Sequence, residues 1–188
     1  VDNRQALYDV LEGYNVHIMS GHTHNNRNVI KDNVYEHVHG TLCGAWWTGP
    51  VCEDGTPSGY GIYEVDGTEL KWQYKSVGHP LDYQLSTQVY TNSNGEKEVQ
   101  ANVWNWDTDW KVEWWADEVY KGNVASVAAF DPQTVTLYKG DQLPKGRVFV
   151  EPKKSDHMFQ VVPPQGARQV KFIATDRFGR KYTSIANV

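Results

Sequence analysis

Two cysteines in 188 residues are too few for a disulfide framework, so the chain is not a small stapled scaffold. Cationic excess is also missing. Eighteen Lys and Arg against 23 Asp and Glu leave a net charge of -5, which offers no basic face to nucleic acid or anionic lipid. No run approaches the roughly 18 apolar residues of a membrane-spanning helix. A P-loop, a Gly-x-Ser-x-Gly elbow, internal repeats and low-complexity tracts are all lacking, which sets aside phosphate-cradling loops, serine-elbow hydrolases and repeat arrays. No signal peptide is seen either, but that carries no weight for a chain that starts at Val1. What is abundant is aromatic surface: eight Trp and eleven Tyr, with aromatics at 13% of the chain. Large flat side chains in a chain of modest hydrophobicity suit a β-rich protein.

The stretch Ser20-Gly21-His22-Thr23-His24 concentrates the chemistry. Val16, Ile18 and Met19 before it form a short apolar run that predicts a buried strand, and Asn25-Asn26-Arg27-Asn28 after it predicts a loop. Two imidazoles therefore sit just past a strand end, where α/β sheets usually hold ligands. Neutral imidazole ligates zinc, iron and manganese, so the spacing suits one metal or an adjacent pair. Two histidines hydrogen-bonded in a polar loop are the plainer alternative.

Before this stretch, Ala6, Leu7, Val10 and Leu11 form one helical stripe, with Asp2 or Asn3 as cap, Gln5 at capping-box spacing from Asp2, and Gly13 as terminator. After it, residues 34–44 predict a strand carrying a second His-x-His, His37 and His39, on one face. That pair is read as buried hydrogen bonders or substrate contacts ahead of metal ligands. Trp46 and Trp47 are candidates for an active-site mouth, with core packing as the competing role. Cys43 and Cys52 close a short loop, and the sequence leaves open whether they are bridged. A hairpin follows, with Asp66-Gly67 as its turn.

Gly78-His79-Pro80 interrupts the pattern, and beyond it the sequence turns to strands and turns. Trp104, Trp106, Trp110, Val112 and Trp114 all fall on even positions, predicting a tryptophan-rich hairpin turning at 107–109. Its indoles are either a platform for stacking sugars or the core of a small sandwich, and the core is favoured. Asp131-Pro132 predicts a short turn or helix, and residues 148–150, 158–162, 170–174 and 182–185 predict strands. Arg177 and Arg180 lie in the last hairpin loop, where they are read as solvated turn residues ahead of a phosphate grip.

The strand, the Gly-His-Thr-His stretch and the polar loop together resemble the last metal motif of the calcineurin-like metallophosphoesterases. Gly44-Ala45-Trp46-Trp47, Asp54-Gly55-Thr56-Pro57 with Gly59-Tyr60, and Tyr63-Glu64-Val65-Asp66-Gly67 look like the end of that catalytic domain in secreted bacterial members. From about Leu81 onward, including 174–180, the chain is similar to the β-rich C-terminal domain those members carry. The resemblance implies a hydrolase in which two divalent metals, Mn, Fe or Zn, lie about 4 Å apart and clamp a phosphate ester while activating water. It implies His22 and His24 as catalytic metal ligands, one for each ion, and a periplasmic, secreted or cell-surface location, which the cysteine pair weakly supports.

The upstream family motifs, an Asp-x-His, a Gly-Asp, a Gly-Asn-His-Glu/Asp and a lone His, do not precede Ser20, and the one Gly-Asp, Gly140-Asp141, lies far downstream. The chain is therefore expected to be a C-terminal fragment of a larger phosphoesterase, inactive and metal-free by itself, with the missing part of the catalytic domain as its partner. The expected fold is α+β and mostly β. Residues 1–79 would be the terminal αβ and hairpin piece of a four-layer α/β domain, and 80–188 an all-β, sandwich-like domain. The alternative function is a glycan-binding or structural β-module.

Overall fold

Alternating side chains dominate the chain, and the computed structural model, which describes residues 3–139 and 143–188, is accordingly mostly β. Helix α1 (Arg4–Val10) leads to β1 (Val16–Ser20), β2 (Arg27–Lys31) and β3 (Val34–Val38), which form one sheet in the order β1-β3-β2. β1 runs parallel to β3, with Val16 opposite Val34, and β2 runs antiparallel to it. The polar stretch at 25–28 is only partly loop. Arg27 and Asn28 open β2, because Val29 and Ile30 continue a strand that pairs with β3 across the Asp32-Asn33 turn.

α1 ends before Gly13 as the sequence implies, but its stripe finds no cover. No residue of α1 is buried; Leu7 and Val10 are exposed. Asn3 caps without a side-chain hydrogen bond, and Asp2 lies outside the described residues. The predicted hairpin is present as β4 (Gly59–Asp66) and β5 (Glu69–Ser76), turning at Asp66-Gly67.

The remaining strands form two antiparallel four-stranded sheets. One, ordered β10-β11-β7-β6, comprises β6 (Leu85–Thr91), β7 (Lys97–Val103), β10 (Ser126–Phe130) and β11 (Lys154–Val161). The other, ordered β13-β12-β8-β9, comprises β8 (Lys111–Ala116), β9 (Val119–Asn123), β12 (Gln169–Thr175) and β13 (Lys181–Asn187). One apolar core lies between them. Val99, Ala101, Val103 and Phe159 from the first sheet meet Val112, Val170, Phe172 and Ala174 from the second, all close to fully buried. Their odd spacing in β7 and even spacing in β12 are the two-residue period of strands that bury one face.

The tryptophan-rich stretch is not a hairpin. β7 ends at Val103 and β8 starts at Lys111 in the other sheet, so residues 104–110 cross between sheets. Asn105 sits at φ 62, and the buried Asp107 carboxylate accepts from Asp109 N at 2.8 Å, bending a run that even spacing alone would extend. Trp104 and Trp110 are buried, and Trp106 and Trp114 pack against the core, so these indoles are not a free stacking platform.

Helix α2 (Pro132–Tyr138) forms where Asp131-Pro132 predicts it, with Asp131 Oδ1 accepting from Gln133 N and Thr134 N. Residues 148–150 are not a strand. They follow a 3₁₀ turn at Lys145–Arg147, and only Val150 is buried, in a small cluster with Ala45, Val51 and Tyr138. Gly140-Asp141 lies outside the described residues. No helix among the described residues is long and apolar enough to cross a membrane.

Candidate functional site

Two sharp loops meet at the carboxyl end of β1. His22 and His24 have φ of 79 and 53, and Trp46 and Trp47 have φ of 56 and 60. These four supply half of the eight non-glycine residues with positive φ among the described residues. Each such backbone costs roughly 1–2 kcal/mol for a residue with a Cβ, and persists only where surrounding structure enforces it. The enforcement is visible. The His24 ring stacks on Trp46 with centroids 3.9 Å apart and planes 10° apart, and meets the Trp47 edge at 6.5 Å. Trp46 is backed in turn by Phe149.

His24 is nearly buried, and its Nδ1 lies 3.1 Å from the carbonyl oxygen of Gly44. A carbonyl only accepts, so Nδ1 carries the proton and Nε2 keeps its lone pair. Metal-ligating histidines usually have this arrangement, because the outer hydrogen bond fixes tautomer and ring orientation. Gly44 at φ 56 makes the close approach feasible: a Cβ there would lie 2.6 Å from the oxygen of Gly49. His22 is exposed on the same loop.

Cys43 and Cys52 flank this corner as free thiols. Thr41 contacts both, its Oγ1 lying 3.0 Å from Cys43 Sγ and its N–H donating to Cys52 Sγ at 3.4 Å. Burial pushes the Cys52 thiol well above its ordinary range, so it is protonated and inert.

The second histidine pair stands elsewhere. Tyr35, His37 and His39 project from one face of β3 and its extension, with ring spacings of 4.1 and 6.3 Å. His37 is completely buried, hydrogen-bonded to His17 at 2.9 Å and edged by Trp72 and Tyr63. Burial first, then His17, His39 and Arg177, pushes its imidazole down to about 3, so it is neutral. His39 hydrogen-bonds the Tyr63 hydroxyl, and burial lowers its pKa as well. The structure thus gathers His24, Trp46 and Trp47 and sets His37 and His39 in an aromatic stack.

Arg177 and Arg180 are only partly solvated and are held by protein partners. Arg177 pairs with Asp107 at 2.9 Å and Asp109 at 2.5 Å and lies over the Tyr35 and Trp72 rings. Arg180 pairs with Asp176 at 2.6 Å and donates to the Trp72 carbonyl. Carboxylates and aromatic faces outcompete water for guanidinium groups here, so the last hairpin loop clasps the β5 hairpin.

Sequence reasoning missed the polar set beneath the histidine loop. Asp54, Asn102, Asp131 and His157 are all buried, and Asn26 ties the loop to them. Asp54 stands in a stretch already singled out, but nothing in the spacing marks His157 or Asn102. Glu53, also buried, pairs with Lys153 at 2.6 Å.

A sequence model described as the C terminal of calcineurin-like phosphoesterase matches residues 36–182, well over half of the chain. The chain belongs to that family. No curated protein and no solved structure matches it. The family match takes in Trp46, Trp47, Asp54 and His157 and begins after His22 and His24. Calcineurin-like phosphoesterases are generally metal-dependent. Donor chemistry at the loop fits a divalent metal in part: His24 has its tautomer pinned and Nε2 free, and His22 adds a second imidazole. Among the described residues no group of three or more His, Cys, Asp or Glu side chains is gathered to hold a metal.

Proposed function

We propose that this chain is the C-terminal part of a phosphoesterase whose His22 and His24 supply two ligands to a binuclear centre, the remainder coming from a preceding part of the same protein. The observation that carries this reading is His24: a near-buried imidazole at a strand end, protonated on the nitrogen facing Gly44 O and unprotonated on the other. The left-handed backbone at His22 and His24 is of the kind that clusters at functional sites. Divalent ions held there would supply Lewis-acid activation of water and of a phosphate ester.

The chain's own residues do the positioning. Gly44 O holds His24 in one tautomer, Trp46 fixes the ring plane, and the exposed Trp47 stands at the rim where a substrate would arrive. The two four-stranded sheets, read as a sandwich over residues 80–188, brace the loop from below. Residues 1–79 are read as the end of a layered α/β domain. In support, the exposed Leu7 and Val10 of α1 and Met19 of β1 present apolar surface of the kind another layer covers. By this reading the chain alone is inactive and binds metal weakly. An exported location rests on the resemblance alone, since both cysteines are free.

The test is hydrolysis of a chromogenic phosphate monoester and diester, with manganese or zinc, by the full-length protein and by this chain. Activity in the full-length protein that disappears in His24→Ala supports the reading. Activity that survives His24→Ala, or tight binding of two metals by this chain alone, overturns it.

A further inference from the structure

We propose that the buried Asp54–His157 pair is the positioning element of the His24 loop, by which the β-rich part of the chain sets the geometry of the site. Its functional consequence rests on the reading of His24 as a metal ligand; the geometry below does not.

The orientation of the two side chains follows from the hydrogen bonds around them. Asn102 Nδ2 donates to Asp54 O and to Asp131 Oδ2, both at 3.0 Å, which fixes the amide so that its Oδ1 faces His157 Nδ1 at 2.8 Å. An amide oxygen only accepts, so His157 Nδ1 carries a proton. His157 Nε2 then lies 3.2 Å from Asp54 Oδ2, within hydrogen-bonding distance, so the imidazole bridges Asn102 and the Asp54 carboxyl group. The same carboxylate accepts from Asn26 N at 2.6 Å and from Thr56 N at 3.0 Å. One buried carboxylate thus takes donors from three segments: the histidine loop two residues beyond His24, its own turn, and β11.

The placement of His157 depends on a distortion of its strand. Val127 pairs with Met158, but Ala129 pairs with Ser155, so β11 carries one extra residue against β10. Such bulges re-aim side chains and recur beside functional sites. Here the bulge lets His157 and Asn102 share the sheet face opposite the core. The turn beneath is packed too tightly to shift: Gly55 has φ 81, and a Cβ there would lie 2.3 Å from Asp131 Cγ. Three further bonds hold this segment to the crossover: Asn105 N donates to Asn26 Oδ1 at 2.8 Å, and Asn28 Nδ2 donates to Asn105 O and Trp106 O, both at 2.9 Å.

A buried polar pair is weak evidence for stability, since apolar replacements are often as stable; its better-attested use is to specify geometry. Amide hydrogen exchange on the full-length protein separates the two roles. In His157→Leu, exchange at Asn26 should speed up about tenfold or more relative to Phe172 in β12, and manganese affinity should fall with it. His157→Gln, which restores a donor to Asp54 through a side-chain amide, should keep both within about threefold. If His157→Leu does not fold, Asp54→Asn serves in its place, because its amide sets a donor against Asn26 N, Thr56 N or His157. Equal acceleration at Asn26 and Phe172, or none at Asn26, overturns the proposal. If the loop loosens in His157→Leu while His24→Ala keeps full activity, positioning stands and the metal reading falls. If His24→Ala is inactive and Asn26 exchange is unmoved by His157→Leu, the metal reading stands and positioning falls.

Discussion

The chain carries two His-x-His pairs, His22 with His24 and His37 with His39, and the fold uses them in opposite ways. The first follows a strand end, where left-handed residues turn the chain and leave one imidazole exposed and the other half-satisfied. The second runs along β3, where the two-residue period puts both rings on one face against Tyr35, Tyr63 and Trp72. Spacing alone therefore carries little chemical information. What separates a candidate ligand from a core histidine is which ring nitrogen retains a lone pair that a ligand can reach.

The largest effect expected from that contrast is on activity. In the full-length protein, His24→Ala should lower phosphoesterase turnover by about 100-fold or more, since removing a ligand exceeds the 10–100-fold typical of losing its outer partner. His39→Ala should keep turnover within about threefold, and the same assay on both variants checks it. Equal losses would erase the distinction between the pairs. On stability the order reverses. His37→Ala leaves a cavity among Tyr35, Trp72 and Tyr63 and an unpaired His17, and should lower unfolding free energy by about 2–4 kcal/mol in urea titrations. His22→Ala, at an exposed position, should change it by less than about 0.5 kcal/mol.

The same contrast has a pH dependence. The unfolded chain's His37 takes up a proton near 6.5, whereas in the fold burial holds it off until about 3. Between those values the unfolded state binds more protons, so stability falls as pH drops from about 6.5 towards 3, by up to a few kcal/mol. His37→Phe removes that contribution. Urea midpoints of the two proteins should therefore converge as the medium is acidified, with wild type losing more. A constant difference across that range would mean that His37 is not held neutral by the fold.

Much of this was legible in the sequence, and the failures share a cause. Period-two alternation located β4, β5, β12 and β13, and Asp131-Pro132 located α2, because local chemistry decides such elements. The even-numbered tryptophans misled because alternation records burial on one side, and a crossover between two sheets buries one side as a hairpin does. Residues 148–150 misled because a short Val-Phe-Val run reads as a strand, whereas only Val150 is buried, against Ala45, Val51 and Tyr138, and Val148 and Phe149 stay exposed. Arg177 and Arg180 read as solvated because their partners Asp107 and Trp72 lie 70 and 108 positions away in sequence. His157 was invisible for a similar reason: a one-residue bulge, with no compositional mark, turns it towards Asp54.

The smallest effect discriminates within the site itself. Trp46 and Trp47 share a left-handed backbone, but only Trp46 has its ring flat on His24, while Trp47 is 72% exposed. Glycine adopts such φ values without the roughly 1–2 kcal/mol charged to an L-residue, although it gives up more chain entropy on folding. Trp47→Gly should therefore be neutral or stabilising by up to about 1 kcal/mol, whereas Trp46→Gly, which also strips the stack from His24, should be destabilising by more than its neighbour gains. Thermal melts of the two variants side by side decide it. If Trp47→Gly destabilised as much as Trp46→Gly, the exposed indole would be supporting the loop, and its place at the rim would need another explanation than contact with an incoming phosphate ester.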